Sequence, residues 1–567
     1  MQNAEVTSPV LIVGGGPFGL MCSIELSRRG IASYLVDADL GTARNPQANA
    51  TQARTMEHFR RLGFSEEIRQ AGLPHDYPTD IAYFTRYVGH ELARFALPAS
   101  RDATTAIKSL SGSWSAAELP HRVSQKFVEQ VLRRHAEAGP LASLNFGCRL
   151  EEFTQVGDKV SASVTDVASG ERRSITADYL IGGDGARSAI RKALGISLAG
   201  ETGVTRDFFG GKMVAVYLRA PDFYATVPHG KAWMYVAFNP QRRSWLAAVN
   251  GVDEFALHTQ LKPGEDQTIS AERGKELFAQ VTGRAIDIEV LAVDTWTAGH
   301  ALVADRFRDG KVFIGGDAAH LFTPAGGLGY NTAVEDAVNL CWKLAATLNG
   351  TAGPDLLDSY EIERRKLAIR NTDYARQLAD SLGCFVPGPA IETDTAEGEA
   401  ARAHAGTYLN AHARREFNIP GITFGGRYDG SPVIVPDGET PPVDAMDVYV
   451  PSAVPGGRVP HFWLEDGRSL FDLFGFDWTL LAIDADAGDV AAFRTASADR
   501  GIALELVEIA MPEAKALFGA KLVLIRPDQI IAWRQTEAPV DPVAVFDAVL
   551  GGAVHHAIAA GPLCGAA

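Results

Sequence analysis

The chain has 567 residues, 46% of them hydrophobic, and a formal net charge of −16 at pH 7. That length and apolar content can bury several cores, roughly three or four domains' worth. The acidic balance repels phosphate backbones and anionic lipid, and no basic cluster stands against it, which argues against nucleic-acid and membrane partners. The opening MQNAEVTSPV lacks a basic region followed by an apolar run, and no apolar segment is long enough to span a bilayer, so a cytoplasmic protein is expected. Cys22, Cys148, Cys341, Cys384 and Cys564 are widely scattered, with neither CxxC nor zinc spacing, which predicts reduced structural thiols and no metal site.

In chain order, Val10-Leu11-Ile12-Val13 predicts a buried strand that meets Gly14-Gly15-Gly16-Pro17-Phe18-Gly19 and then a helical stretch, Leu20 to Arg29. This is GxGxxG between a strand and a helix. Gly14 permits the turn, Gly16 lets a pyrophosphate approach, and Gly19 lets helix and strand pack closely. A second strand, Ser33 to Val36, delivers Asp37 where a ribose-binding acid belongs. The motif predicts a dinucleotide without choosing between FAD and NAD.

Asn45 to Gly63 reads as a loop and then a helix with Met56, Phe59 and Leu62 on one face. Asn49 in that loop can orient a hydroxyl but is a poor base. Arg122-Val123-Ser124-Gln125 precedes another helix, and Gln125 reads equally well as a surface residue of its first turn. Val160 to Val164 and Ile175 to Leu180 read as strands, the second ending in an Asp184-Gly185 turn followed by Arg187, Ser188 and Arg191. Between Phe208 and Asn250, the runs Met213 to Leu218, Ala232 to Phe238 and Trp245 to Val249 predict a sheet. As a set, its Phe209, Tyr217, Trp233 and Tyr235 favour a flat apolar ligand, although each one alone reads more readily as core.

The rest of the chain is organised around Val312 to Lys343, VFIGGDAAHLFTPAGGLGYNTAVEDAVNLCWK. A short strand, Val312 to Ile314, runs through Gly315-Gly316 into Asp317 and ends in a helix beginning near Asn331. Asp317 can accept from a ribityl or ribose hydroxyl, and free N–H groups around Tyr330 and Asn331 favour an electron-rich ligand edge. An ordinary glycine-rich connection is the other reading. Helices are expected at Ala333 to Leu348, Leu356 to Arg376 and Ala396 to Ala413, followed by a proline-rich linker from Pro432 to Pro451. From about Gly457, runs at Thr479 to Ile483, Leu504 to Ile509 and Lys521 to Arg534 predict a compact α/β module. Its first strand leads into Asp484-Ala485-Asp486 with no cysteine pair, so the module is expected to carry no electrons.

GDAAH, with Pro324, Gly326-Gly327, Gly329 and Asn331-Thr332, resembles the second flavin motif of the class A FAD-dependent aromatic hydroxylases, the family of p-hydroxybenzoate hydroxylase and phenol hydroxylase. The N-terminal GxGxxG and the DG turn fit the same pattern in the same order, and the C-terminal module resembles the thioredoxin-like domain of the phenol hydroxylase branch. The resemblance implies an α/β fold: a Rossmann-type FAD-binding domain at 1–200 and 290–395, and an inserted β-sheet substrate domain at 201–289 with contributions from about 80–120. A helical segment and linker at 396–456 and the thioredoxin-like domain at 457–567 complete it.

It further implies that FAD is held by Gly14, Gly16, Pro17, Gly19, Asp37, Gln125, Asp184, Gly185, Asp317, Gly327, Gly329, Tyr330 and Asn331. The substrate pocket would be lined by Phe209, Tyr217, Trp233 and Tyr235, with Asn49, Pro324 and Gly326 beside the reacting edge. By family logic NADH or NADPH reduces the flavin, oxygen forms a C4a-hydroperoxide, and a phenolic or related ring takes one oxygen atom in a single-component monooxygenase. A flavin dehydrogenase or reductase without oxygen insertion, and a non-catalytic FAD-binding protein, are the alternatives; a homodimer is compatible with the chain.

Overall fold

The computed structural model describes residues 5–43, 45–46, 48–202, 210–266, 268–535 and 541–552. Val10, Leu11 and Ile12 are fully buried, as an unbroken apolar run must be when both faces of a sheet are covered. Their strand, Glu5–Val13, lies inside an eight-stranded sheet. It pairs in parallel with Ser33–Asp37 on one side and Arg172–Gly182 on the other, and Ala142–Phe146 and Val312–Ile314 extend the parallel set outward. Parallel neighbours need a crossover, and the helix Pro17–Arg28 supplies the first one. A Cβ on Gly19 would stand 1.9 Å from the carbonyl oxygen of Gly14, so this helix can lie on its strand only with glycine there.

The parallel order brings three distant turns to one edge. Gly183 N–H donates to the Val13 carbonyl at 2.7 Å, and Gly315 N–H to the Gly182 carbonyl at 3.1 Å. The turns after Val13, Gly182 and Ile314 therefore sit side by side at the carboxyl ends of their strands, where open α/β sheets bind ligands.

A seven-stranded sheet forms a second layer, in the order Glu289–Ala298, Gly211–Arg219, Glu254–Gln260, Arg243–Ala248, Met234–Phe238, Ile81–Phe84, Glu91–Phe95. Its last strand in sequence, Glu289–Ala298, lies beyond the expected boundary at 289; its charged and half-buried residues gave no clean alternation to read. Val214, Val216, Leu246, Leu257 and Tyr235 occupy one face, packed with Phe223 and the helix Ala271–Thr282. The opposite face, with Ala215, Tyr217, Trp245, Ala256 and His258, turns toward the first sheet: Lys126 reaches Tyr217 from the helix Gln125–Glu137, and Asn45 reaches Asp294.

The helix Leu328–Leu348 begins three residues before the expected Asn331, because Gly327 in the left-handed region (φ 63°) opens it. The next helix is Asp358–Gly383 and the one after it Ala396–Phe417, each longer than its sequence pattern. The C-terminal module is a four-stranded sheet in the order Leu504–Ile509, Trp478–Ile483, Leu522–Ile525, Ile531–Arg534, the first pair parallel and the others antiparallel. Helices Ala487–Asp499, Pro512–Phe518 and Pro542–Val549 accompany it. It is locked to the first layer by a buried ionic cluster: Arg526 and Lys343 both reach Glu363, and Arg54 reaches the Asp528 carbonyl and the Gln529 side chain. No helix among the described residues is long and apolar enough to cross a membrane.

Candidate functional site

The first turn makes an open cradle. Gly14 holds φ 112°, a Cβ on it would meet the Gly183 carbonyl at 2.1 Å, and a Cβ on Gly16 would meet nothing within 4 Å. The helix Pro17–Arg28 starts at Gly16 with no side-chain cap, and Pro17 at its first turn has no N–H to lose. The remaining first-turn N–H groups face the space in front of Gly16, a setting that favours a phosphate. Asp37 braces the cradle: its Oδ2 accepts from Gly15 N–H at 2.5 Å and its Oδ1 from Asp39 N–H at 2.7 Å. Burial raises its carboxyl, against the two backbone donors.

The DG turn differs from its expected role. Asp184 accepts from the Ser188 hydroxyl at 2.5 Å and from Ala189 and Ile190 N–H at 2.7 and 3.2 Å, so its carboxylate caps the short helix that follows. Arg191 is buried and donates to the Ala318 and Ala186 carbonyls. The bond to Ala318 ties the turn to the Asp317 loop, while Gly185, at φ 76°, and the exposed Arg187 remain open.

Asp317 has an exposed side chain, yet crowding by protein raises its carboxyl, with His320 opposing. Both hold for a group on the floor of an open cleft, and the exposure is what lets a ligand reach it. Behind it, Asp336 accepts from Gly316 N–H (3.1 Å), from Arg364 Nε (2.7 Å) and pairs with His320 Nε2 (2.6 Å), all fully buried. Burial alone would raise the Asp336 carboxyl; His320 and Arg364 outweigh it and hold it low.

The third side of the cleft is a seam between the 48–52 segment and the loop at 324–331. Gln52 Nε2 donates to the Gly326 carbonyl at 2.7 Å, and Asn331 Oδ1 accepts from Gln52 N–H at 2.8 Å. Asn331 Nδ2 donates to the Ala50 and Gly327 carbonyls. The side chain of Asn331 is thus a brace, and Gly326 is held at both ends, its N–H on Glu416 Oε1 at 3.0 Å. The uncapped start of the helix at Leu328–Leu348 leaves N–H groups of Leu328, Gly329 and Tyr330 without helical partners. Gln125 N–H donates to the Ala48 carbonyl, and its side chain donates to Glu129. Pro324 is exposed at the mouth.

Along this seam Asn49 Oδ1 and Ser124 Oγ are enclosed with no hydrogen-bond partner among the described residues, and the enclosed Thr51 and Tyr330 hydroxyls have only each other. Such atoms cost free energy when left alone, and their concentration beside the glycine turns fits a polar ring system. With the Gly16 space and the open Asp317, the residues present suit a flavin dinucleotide.

Of the aromatic residues expected to line a pocket, only some face the seam. Tyr235 points to the far side of its sheet, fully buried against Phe84, Tyr87 and Phe223, with its hydroxyl accepting from Ala232 N–H at 3.0 Å. One-residue parity in a strand decides the face, and sequence alternation does not say which face meets the cofactor. Tyr217 is on the facing side, but Lys126 and Glu254 engage its hydroxyl. Trp233 is buried beside Phe417 and under the guanidinium of Arg122. Phe209 lies outside the described residues.

Sequence reasoning passed over Trp245, His258 and Arg122. Trp245 and His258 stack at 4.7 Å between centroids on the facing side, with Trp296 edge-on; burial lowers His258 to about 4. Trp245 lay inside a recognised strand and could have been found from its parity with Tyr217 across the sheet. Two other crevices, one beside Phe424 and Tyr449 and the other beside Lys108 and Trp463, share no residue with the glycine turns.

Comparison with known proteins agrees with this geometry. A family model described as "FAD binding domain" matches residues 7–375, and one described as "Aromatic-ring hydroxylase, C-terminal" matches 452–553. An FAD-dependent monooxygenase of Emericella nidulans is 31% identical, over 92% of this chain and 87% of its own. Phenol 2-monooxygenase of a Pseudomonas species is 30% identical, over 97% and 93%. Among solved structures, RebC with bound 7-carboxy-K252c superposes with a TM-score of 0.87 at 34% identity, covering 97% of this chain and all of that one.

Proposed function

The chain belongs to the FAD-dependent aromatic-ring hydroxylases, and from that premise we propose that it hydroxylates a phenolic or related aromatic substrate, with NADH or NADPH as reductant and molecular oxygen as co-substrate. The observation that carries the reading is the meeting of three glycine turns at one sheet edge, with unpartnered polar atoms between them and an aromatic-bearing sheet face above.

In this reading Gly14, Gly16 and Gly19, with the helix start after Pro17, hold the pyrophosphate of FAD; Asp37 meets a ribose and Asp317 the ribityl chain. Backbone N–H groups of Gly329 and Tyr330, beside Gly327, meet the electron-rich edge of the ring system. Reduced FAD supplies the chemistry of activating oxygen. The chain's part is to seat the aromatic ring under Trp245 and Tyr217, to orient its hydroxyl with Asn49, and to keep water from the reacting edge through the packed loop at Pro324 and Gly326. Asn49 makes no side-chain hydrogen bond to the described residues, and a residue whose work was to brace the loop would have its amide engaged.

Arg187, exposed beside the Gly185 turn and without an ion pair among the described residues, is the cation we assign to a phosphate of the nicotinamide cosubstrate. We read the C-terminal module as thioredoxin-like on its strand order, without electron transfer; Cys564 lies outside the described residues. Residence in the cytoplasm suits the free thiols at Cys22, Cys148, Cys341 and Cys384. The names of the relatives, one for a phenol and one binding a carboxylated compound, support an aromatic substrate class. The test is to purify the protein, identify its released cofactor, and follow NADH and NADPH oxidation with oxygen uptake across a panel of phenols. Aromatic-stimulated consumption by a yellow, FAD-containing protein is expected; consumption indifferent to every aromatic would contradict the reading.

A further inference from the structure

Arg122 is only 4% exposed, and its guanidinium lies 4.8 Å over the ring of Trp233 and 5.5 Å from that of Phe417. It makes no hydrogen bond or ion pair with any described residue, and its Nη1 is enclosed with no acceptor among them. An arginine offers five N–H donors in a planar fork, and burying that charge without a partner carries a penalty of several kcal/mol. Three other buried arginines each reach a carboxylate, Arg364 at Asp336, Arg526 at Glu363 and Asp528, and Arg458 at Glu57.

The one acid whose charge acts on Arg122 is Glu416, and it is engaged elsewhere. Its Oε1 takes the Gly326 N–H at 3.0 Å and its Oε2 pairs with His412 Nε2 at 2.8 Å. Burial lowers Arg122 to about 10, which leaves it cationic at neutral pH. Its position is equally specific. His121, the preceding residue, exchanges backbone hydrogen bonds with Thr51, two residues from the unpartnered Asn49. Trp233 belongs to the sheet layer, and Glu416 bonds the loop that carries Gly326. The fork therefore stands where the 48–52 segment, the sheet layer and the 324–327 loop converge.

We propose that Arg122 is a substrate-binding residue, and that the aromatic substrate carries an acidic oxygen group, a carboxylate or an equally anionic ring oxygen, which docks on its guanidinium. The aromatic rings of Trp233 and Phe417 hold the fork flat and exclude water, which strengthens a charge-assisted pair. The inference rests on the reading that an aromatic ring is seated beneath the sheet, and it adds the charge that this ring brings.

The experiment titrates the FAD-loaded protein with matched probes, 1-naphthol against 1-hydroxy-2-naphthoate and a hydroxyanthraquinone against its carboxylate, and reads the absorbance shift of the bound flavin. The parent is expected to bind the acids more tightly than the neutral partners by roughly tenfold or more. In Arg122→Met that preference disappears, the melting temperature without probe stays level or rises because an unpaired buried charge is gone, and FAD content is unchanged. Arg122→Lys, which keeps the charge without the fork, retains part of the preference. Equal binding of acid and neutral probes by the parent would overturn the assignment, and so would a preference that survives in Arg122→Met. Loss of FAD from Arg122→Met would overturn it by placing the fork on the flavin. If no aromatic of either charge perturbs the flavin, the aromatic-substrate reading fails together with it, an outcome distinct from the others.

Discussion

An enclosed amide oxygen without a partner costs about 1–3 kcal/mol, and Asn49 keeps one in the seam beside Gly327. If that oxygen orients a phenolic hydroxyl, Asn49→Ala removes a hydrogen bond of roughly 0.5–1.5 kcal/mol and loosens the ring's alignment. More reductant then ends as hydrogen peroxide, with little change in melting temperature; a marked fall in melting temperature with unchanged coupling would assign Asn49 to the loop instead. Asp317→Ala is expected to weaken FAD retention without unfolding the protein, because it removes an exposed polar anchor and no core volume; equilibrium dialysis against free FAD checks it. Asn49 and Asp317 could be proposed from the sequence because each stands in a string whose chemistry is local. Arg122 was not, since a sequence does not say which arginines lack acceptors once folded.

The sheet layer marks the limit of what periodicity carries. Alternation in Gly211–Arg219 and Met234–Phe238 separates two faces, yet only the pairing of strands brought in from residues 81–95 and 289–298 decides which face meets the cofactor. Tyr235 consequently fell on the wrong side and Trp245 was overlooked. Tyr235→Phe is therefore expected to leave hydroxylation coupling and FAD content intact, and to lower stability by about 1 kcal/mol through the lost bond to Ala232 N–H, measured by denaturant melts beside turnover assays. A large, specific loss of coupling in that folded variant would return Tyr235 to the substrate. The glycine turns, by contrast, were legible as elements, because a strand ending in GxGxxG and opening a helix has few other uses. The early start of the helix at Leu328 depends on the positive φ of Gly327, which the sequence permits without requiring.

Across the whole molecule, buried histidines set a pH limit. His58, His121, His258 and His461 are all enclosed. Burial, aided by nearby arginines for all but His258, lowers His258 to about 4, His121 and His461 to about 3, and His58 well below its ordinary 6.5. In the unfolded chain each takes a proton near its ordinary value, so the unfolded state binds more protons as pH falls from about 6.5 toward 4. Stability present above that window is lost through it, at about 1.4 kcal/mol per pH unit for each such ring. Glu57 adds to the loss at lower pH, since Arg458 and Arg54 outweigh its burial and hold it at about 2. A melting series is expected to fall steeply between pH 6.5 and 5, and a flat series would contradict the buried neutral rings. The layered α/β plan was legible in the sequence, whereas the cluster that locks the C-terminal module in place joins Arg526 to Glu363, 163 positions away and itself paired with Lys343, and left no local sign. The central claim, that this chain inserts oxygen into an aromatic ring, is tested most directly by turnover under oxygen-18 gas with mass analysis of the product. The account predicts one labelled atom in the hydroxylated ring for each NADH or NADPH consumed in coupled turnover. Reductant oxidation that modifies an aromatic, or none, without any label in the product would contradict it.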